Sequence, residues 1–199
     1  MKIIALALVA TAIVVVAVTF RPKSARAELL KEGDMAPPFA TQMVVGQQVS
    51  PVSLADFHGK KVILYFYPKD FTSGCTKEAC AFRDGYAKYQ KAGLVVLGCS
   101  IDSAESHKGF IEKYRLPFPL LLDPNKKIAK EYGAANGIPI LGFDRRITYV
   151  IGEDGKILKV YPNVDPSTHA TQILSDIGTT PAVPAPGAAD STPSAPAAN

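Results

Sequence analysis

Histidine and cysteine are scarce in this chain of 199 residues, three of each, and many familiar catalytic and binding patterns are missing with them. His58, His107 and His169 stand alone, near expected loops or helix ends, and with the cysteines they match no zinc-ligand spacing. There is no glycine-rich phosphate loop and no Ser/His/Asp order, so nucleotide binding and triad hydrolysis lack support. No internal repeat is visible. An excess of one charge is also missing from most of the chain. Of 22 basic residues, Lys2, Arg21, Lys23 and Arg26 fall in the first 27 positions, which hold none of the 18 acids; the remainder is balanced. A neutral domain carries no electrostatic footprint for nucleic acid. No cofactor and no metal are expected.

The two ends differ from the middle. Residues Ile3 to Phe20 are uncharged and almost wholly apolar, and Ala25-Arg26-Ala27 fits a small-x-small cleavage site before Glu28. Residues 1–27 read as a signal peptide, giving an exported, periplasmic or extracytoplasmic protein. A membrane anchor through residues 3–20 is the alternative, because the run is just long enough to span and three positive charges follow it. Residues 179–199 are dominated by Ala, Pro, Thr and Ser, a composition expected to be disordered.

Between them, residues 28–178 alternate. Strands are expected at Val62–Tyr67, Leu94–Cys99 and Leu120–Leu122, and a hairpin at Ile147–Ile151 and Lys156–Tyr161 around Glu153-Asp154-Gly155. Helices are expected at Gly74–Ala92, Ala104–Tyr114 (capped by Ser103), Lys126–Tyr132 and Ser167–Ile177. This order predicts one α/β domain with a mixed sheet between helices.

Chemistry concentrates where the first strand meets the first helix. Thr72 or Ser73 can cap that helix, which puts Cys75 in its first turn, where free N–H groups and the positive end of the helix dipole favour a thiolate. Cys80 follows five residues later. In an intact helix the two Cα atoms would be about 8–9 Å apart. That exceeds the roughly 7 Å limit for an unstrained disulfide. A bond between them therefore requires the first turns to unwind, which suits a redox cycle better than a structural staple. The alternative is that both are small buried hydrophobes. Cys99 ends an apolar strand and reads as packing.

Pro68-x-x-x-Thr72-x-x-Cys75 resembles the active-site signature of the peroxiredoxins, and Gly74-Cys75-Thr76-Lys77-Glu78-Ala79-Cys80 resembles the branch called peroxiredoxin Q or bacterioferritin comigratory protein. Three further segments are similar to the family: Gly33-Asp34-Met35-Ala36-Pro37-Pro38-Phe39; Phe118–Pro124 with Ala129–Gly133; and Arg146–Ile151. The resemblance runs from about Glu32 to Ile177. It implies a thioredoxin-like fold and a thiol-dependent peroxidase acting on hydrogen peroxide and organic hydroperoxides.

By that resemblance Cys75 is the peroxidatic cysteine, oxidised to a sulfenic acid, and Cys80 resolves it as an intramolecular disulfide. Arg146 would activate the thiolate and polarise the peroxide; strand alternation sends the competing Arg145 to the opposite face. The Thr72 hydroxyl can donate to sulfur or peroxide and accept from a helix N–H, and Pro68 would shield the sulfur from water. Ser73 stands where proline is often found. The expected partners are a peroxide and a thioredoxin-like or other dithiol reductant, and the chain is expected to be a monomer. Two other readings compete. An exported thioredoxin-like oxidoreductase needs C-x-x-C, and here the spacer is four. A copper carrier of the same fold needs a histidine near the cysteines, for which His169 is the late candidate.

Overall fold

The apolar run Val62–Tyr67 forms most of an inner strand of a seven-stranded sheet, and its alternating side chains feed two separate cores. The structure, a computed structural model, describes residues 28–135 and 144–177. The expected targeting stretch, the apolar run 3–20 and the tail 179–199 lie outside the described residues. Among the described residues no helix is long and apolar enough to cross a membrane.

In chain order the strands are β1 (Ala40–Val45), β2 (Gln48–Ser53), β3 (Lys61–Phe66), β4 (Leu94–Ser100), β5 (Leu120–Leu122), β6 (Ile147–Ile151) and β7 (Ile157–Tyr161). The helices are α1 (Ser73–Asp84), α2 (Tyr86–Lys91), α3 (Ala104–Tyr114), α4 (Lys127–Glu131) and α5 (His169–Ile177), with a 3-10 turn at Leu54–Phe57. The strands form one sheet in the order β2-β1-β5-β4-β3-β6-β7. β3, β4 and β5 are parallel, and the remaining pairings are antiparallel. This is the mixed sheet between helices that the sequence predicts.

Alternation along β3 divides the interior. Ile63, Tyr65 and Tyr67 join one cluster with Cys75, Phe82 and Ile173. Val62, Leu64 and Phe66 join the other with Cys99, Ile128 and Tyr132. Fully burying one such apolar side chain contributes about 1.5–3 kcal/mol, so both faces of this strand are held from within. Gly98 of β4 pairs with Tyr65 of β3. A Cβ at position 98 would lie 2.7 Å from Leu120 Cδ2 and 2.8 Å from the Tyr65 Cζ and hydroxyl oxygen, so only glycine leaves space for that phenol.

One expectation needs correction, and one element adds to those expected. The single helix over Gly74–Ala92 is two helices, because Gly85 sits at φ −88°, ψ −1°, between the regular helical bonds of α1 and α2. The Lys88 N–H reaches back only three residues to the Gly85 carbonyl, 2.9 Å away. The β1–β2 hairpin was not anticipated. Its two-residue turn starts with Gly46 at φ 59°, and Pro51 lies on the edge strand. Of its twelve strand residues only Val44 and Val52 are buried, too few to show as a period of two.

Candidate active site

The chain leaves β3 through Tyr67 and half-buried Pro68, turns inward at Asp70, and enters α1 after Thr72. Phe71 takes φ 60° in this turn, a left-handed conformation uncommon for a residue with a side chain. Thr72 is the N-cap residue by its extended backbone (φ −74°, ψ 149°), and its carbonyl accepts from the Thr76 N–H at 2.9 Å. Its hydroxyl does not make the N-cap bond expected from the sequence. It donates to the Lys69 carbonyl at 3.0 Å and accepts no helix N–H.

Cys75 is the third residue of α1 and is buried. Arg146, immediately before β6, donates from Nη2 to the Cys75 sulfur at 3.2 Å and from Nη1 to Glu78 Oε2. A guanidinium is always charged and offers several donors in one plane, so one side chain serves both groups. Arg145 points the other way, into a cleft with Leu29, Leu30, Val160 and Pro162, as alternation predicts. Gly74 keeps the approach open: a Cβ there would sit 3.3 Å from Arg146 Nη2 and 3.7 Å from Pro166 Cγ. Cys80 is half-buried further along α1, and all three cysteines are free thiols. Cys99 lies in the other core, where burial pushes its thiol up, reinforced by the charges of Asp123 and Asp144.

Sequence reasoning did not single out several groups around the sulfur. Glu78 is completely buried, and burial lifts its carboxyl to about 7 despite the opposing pull of Arg146. Its position three residues after Cys75 was the available signal, since that spacing shares a helix face. Tyr65 lies under this region, its ring 4.8 Å from Phe82, and burial followed by the charge of Glu78 raises its phenol well above normal. The Tyr65 hydroxyl, Thr76 Oγ1 and Glu78 Oε1 are buried without a hydrogen-bond partner.

The histidines are not the isolated residues that the sequence suggests. His58 is exposed, but His107 and His169 are fully buried. His169 Nε2 lies 2.8 Å from Thr148 Oγ1, its ring meets Phe82 and Tyr161 edge-on, and burial holds its imidazole down to about 4. It is thus neutral near pH 7 and engaged with a hydroxyl rather than with the cysteines. Among the described residues no group of three His, Cys, Asp or Glu side chains could hold a metal ion.

Comparison with known proteins gives a consistent result. Residues 33–160 match the AhpC/TSA family. A chloroplastic peroxiredoxin Q of Sedum lineare is 46% identical over 144 residues, covering 72% of this chain and 75% of that protein. Among solved structures, the peroxidoxin BcpB of Mycobacterium tuberculosis superposes with a TM-score of 0.68 at 32% identity, over 74% of this chain and 96% of that one. A Xanthomonas campestris bacterioferritin comigratory protein, studied for its alkyl peroxide reduction activity in trapped intermediate and ligand complexes, gives 0.65 at 26% identity, over 70% and 89%.

Proposed function

The chain belongs to the AhpC/TSA family as a thiol peroxidase of the peroxiredoxin Q branch with a thioredoxin-like fold, and from that premise we propose that Cys75 is its peroxidatic cysteine, Cys80 its resolving cysteine and Arg146 its activating cation. The observation that carries this reading is the Arg146 guanidinium donating to the Cys75 sulfur at 3.2 Å in the first turn of α1. The sulfur accepts that bond, the role a thiolate fills.

The thiolate attacks one oxygen of a hydroperoxide. The O–O bond breaks, sulfur gains the oxygen as a sulfenic acid, and the departing alkoxide or hydroxide takes a proton to leave as alcohol or water. Arg146 steadies the negative charge that moves from sulfur to the leaving oxygen. The Thr72 hydroxyl, which donates to the Lys69 carbonyl, turns to the peroxide when one enters, and Pro68 limits water at the sulfur. Cys80 then attacks the sulfenic sulfur, forming the Cys75–Cys80 disulfide and releasing water. A thioredoxin-like or other dithiol reductant regenerates both thiols by exchange. Alkyl hydroperoxides are included among the substrates because the Xanthomonas relative has alkyl peroxide reduction activity.

The domain works as an exported or membrane-anchored protein, a reading that rests on the sequence of residues 1–27. Export would place it in an oxidising compartment, so its reductant would need electrons supplied from across the membrane. Peptide mapping after one equivalent of hydrogen peroxide tests the site roles. Wild type should yield linked Cys75 and Cys80 peptides, and Cys80→Ser should yield a single oxygen adduct on Cys75. An adduct on Cys80 or Cys99 instead would overturn the assignment.

A further inference from the structure

We propose that Asp70 and His107 are a positioning pair that clamps the loop before α1, holding Cys75 opposite Arg146 and restraining the opening that disulfide formation needs. This rests on the roles proposed above for Cys75 and Cys80.

Asp70 lies five residues before Cys75, nearly fully buried in a connection between strand and helix. A carboxyl group in such a place is unfavourable unless its oxygens are satisfied. Here Oδ1 accepts from the Tyr67 hydroxyl at 2.8 Å, while Oδ2 accepts from the Ser106 hydroxyl at 2.8 Å and meets His107 Nδ1 at 2.9 Å. The Asp70 N–H donates to Asp102 Oδ2 at 2.9 Å, and that oxygen also accepts from the Ser100 hydroxyl at 2.7 Å. One loop residue is thus tied to the end of β3, to the β4–α3 connection and to α3.

His107 extends the tie to β5, with Nε2 3.2 Å from the Leu121 carbonyl. A carbonyl only accepts, so the Nε2 contact is a donation from the ring, while the Nδ1 contact ties the other side of the ring to Asp70. Both ring nitrogens and both carboxyl oxygens are occupied in a space from which water is excluded. Nothing in the peroxide chemistry uses these groups directly.

The next residue shows what the clamp holds. Phe71 occupies a left-handed conformation, with its ring 5.2 Å from Phe110 of α3 at 71°. A disfavoured backbone turn persists where its surroundings over-determine it, and here Asp70 fixes one side and Phe110 the other. α1 therefore starts from a fixed point on α3, while Arg146 reaches Cys75 from β6. The distance from sulfur to guanidinium is set by both anchors.

The two chemical steps make opposite demands on this clamp. Attack on peroxide needs Cys75 held at the start of an intact α1. Resolution needs the first turns open so that Cys80 can reach the sulfenic sulfur. An unresolved sulfenic acid meeting a second hydroperoxide takes up another oxygen as sulfinic acid, reducing that peroxide to alcohol. The division between disulfide and sulfinic acid therefore reports how firmly the loop is held.

The test uses reduced protein mixed rapidly with cumene hydroperoxide. Attack is followed at low peroxide, and the sulfinic share is measured by mass spectrometry at high peroxide. Tyr67→Phe and Ser106→Ala each remove one donor to Asp70 and should slow attack by about fivefold, while lowering the sulfinic share. Asp70→Ala should have a larger effect in both directions. Asp70→Asn should stay near wild type, because its carbonyl can still accept from Tyr67 while the two amide hydrogens can reach a neutral His107 and the oxygen of a reoriented Ser106 hydroxyl. Attack and resolution falling together in proportion to melting temperature, or no change in either, would overturn the clamp; the single-donor variants decide this even where Asp70→Ala fails to fold. Cys75→Ser is run alongside. If it still consumes peroxide, the site assignment itself is wrong; if it is inactive while the clamp series is flat, only the clamp fails.

Discussion

Cys75 and Cys99 are 2% and 0% exposed, and they lie in the two cores that β3 separates. By burial alone both would be inert. Their difference is the cation: Cys75 has the Arg146 guanidinium, which it shares with Glu78, and the start of a helix, whereas Cys99 has Asp123 and Asp144 and sits within a strand. A buried thiol is reactive or silent according to whether its surroundings complement an anion. The Tyr67 N–H donates to the Cys99 carbonyl at 3.2 Å, so the two environments are joined by one backbone bond.

The sharpest way to break this contrast is to delete each sulfur. Cys75→Ser should abolish peroxide consumption, and Cys99→Ala should leave the rate intact while costing about 1 kcal/mol of stability. Equal loss in both, measured by peroxide depletion and urea unfolding, would show that burial and not charge decides. The second comparison is between the two arginines. Arg146→Met should slow attack tenfold to a thousandfold, about 1.4–4 kcal/mol of barrier, while Arg145→Met, on the opposite face, should change it far less. A reversed ranking in stopped-flow rates would remove Arg146 from its role.

Glu78 extends the contrast to stability. Its carboxyl is lifted from 4.5 to about 7 by burial, so the folded state favours the protonated form. That preference is fully present below about pH 4.5 and is lost as pH rises toward 7, a loss of roughly 3 kcal/mol. His169, held down to about 4, and Asp144, lifted to about 6 by burial, also titrate in this window, so the measure is the difference: urea unfolding of wild type should lose more stability between pH 4.5 and 7 than Glu78→Gln does. The helix should also answer to redox state. Oxidised protein should exchange amide hydrogens faster over residues 73–82 and lose helical circular dichroism, while Leu94–Ser100 around Cys99 stays protected in both states. Unchanged exchange with the Cys75–Cys80 bond confirmed by mass would refute the unwinding. The smallest effect is expected from Gly74→Ala, whose Cβ would displace the guanidinium by a few tenths of an ångström and slow attack by about threefold to tenfold.

The parts of this site that were legible in the sequence are local ones. β3, β4 and β6 announced themselves as apolar runs, and α3 by Ser103, whose hydroxyl does accept the Ser106 N–H at 3.3 Å. Cys75, Cys80, Thr72, Pro68 and Arg146 could be singled out because a short motif and a strand register carry them. The break at Gly85 was hidden because Tyr86 and Tyr89 continue the helical spacing across it. Asp70 and His107 were invisible for another reason: they are 37 residues apart, and nothing in either neighbourhood announces a partner. Glu78 was missed despite its spacing, since a glutamate on a helix is ordinarily solvated.

The fit of the Tyr65 phenol over Gly98 has a consequence for how such a chain can diverge. The hydroxyl lies where any side chain at position 98 would have to begin, and Leu120 closes the other side. Neither residue can be exchanged freely: enlarging position 98 requires shrinking position 65, and a smaller residue at 65 leaves a void beneath the reactive helix. Sterically, the pair is a single unit spread over two strands. In related sequences, glycine at the first should accompany a large ring at the second, and the two should be lost together.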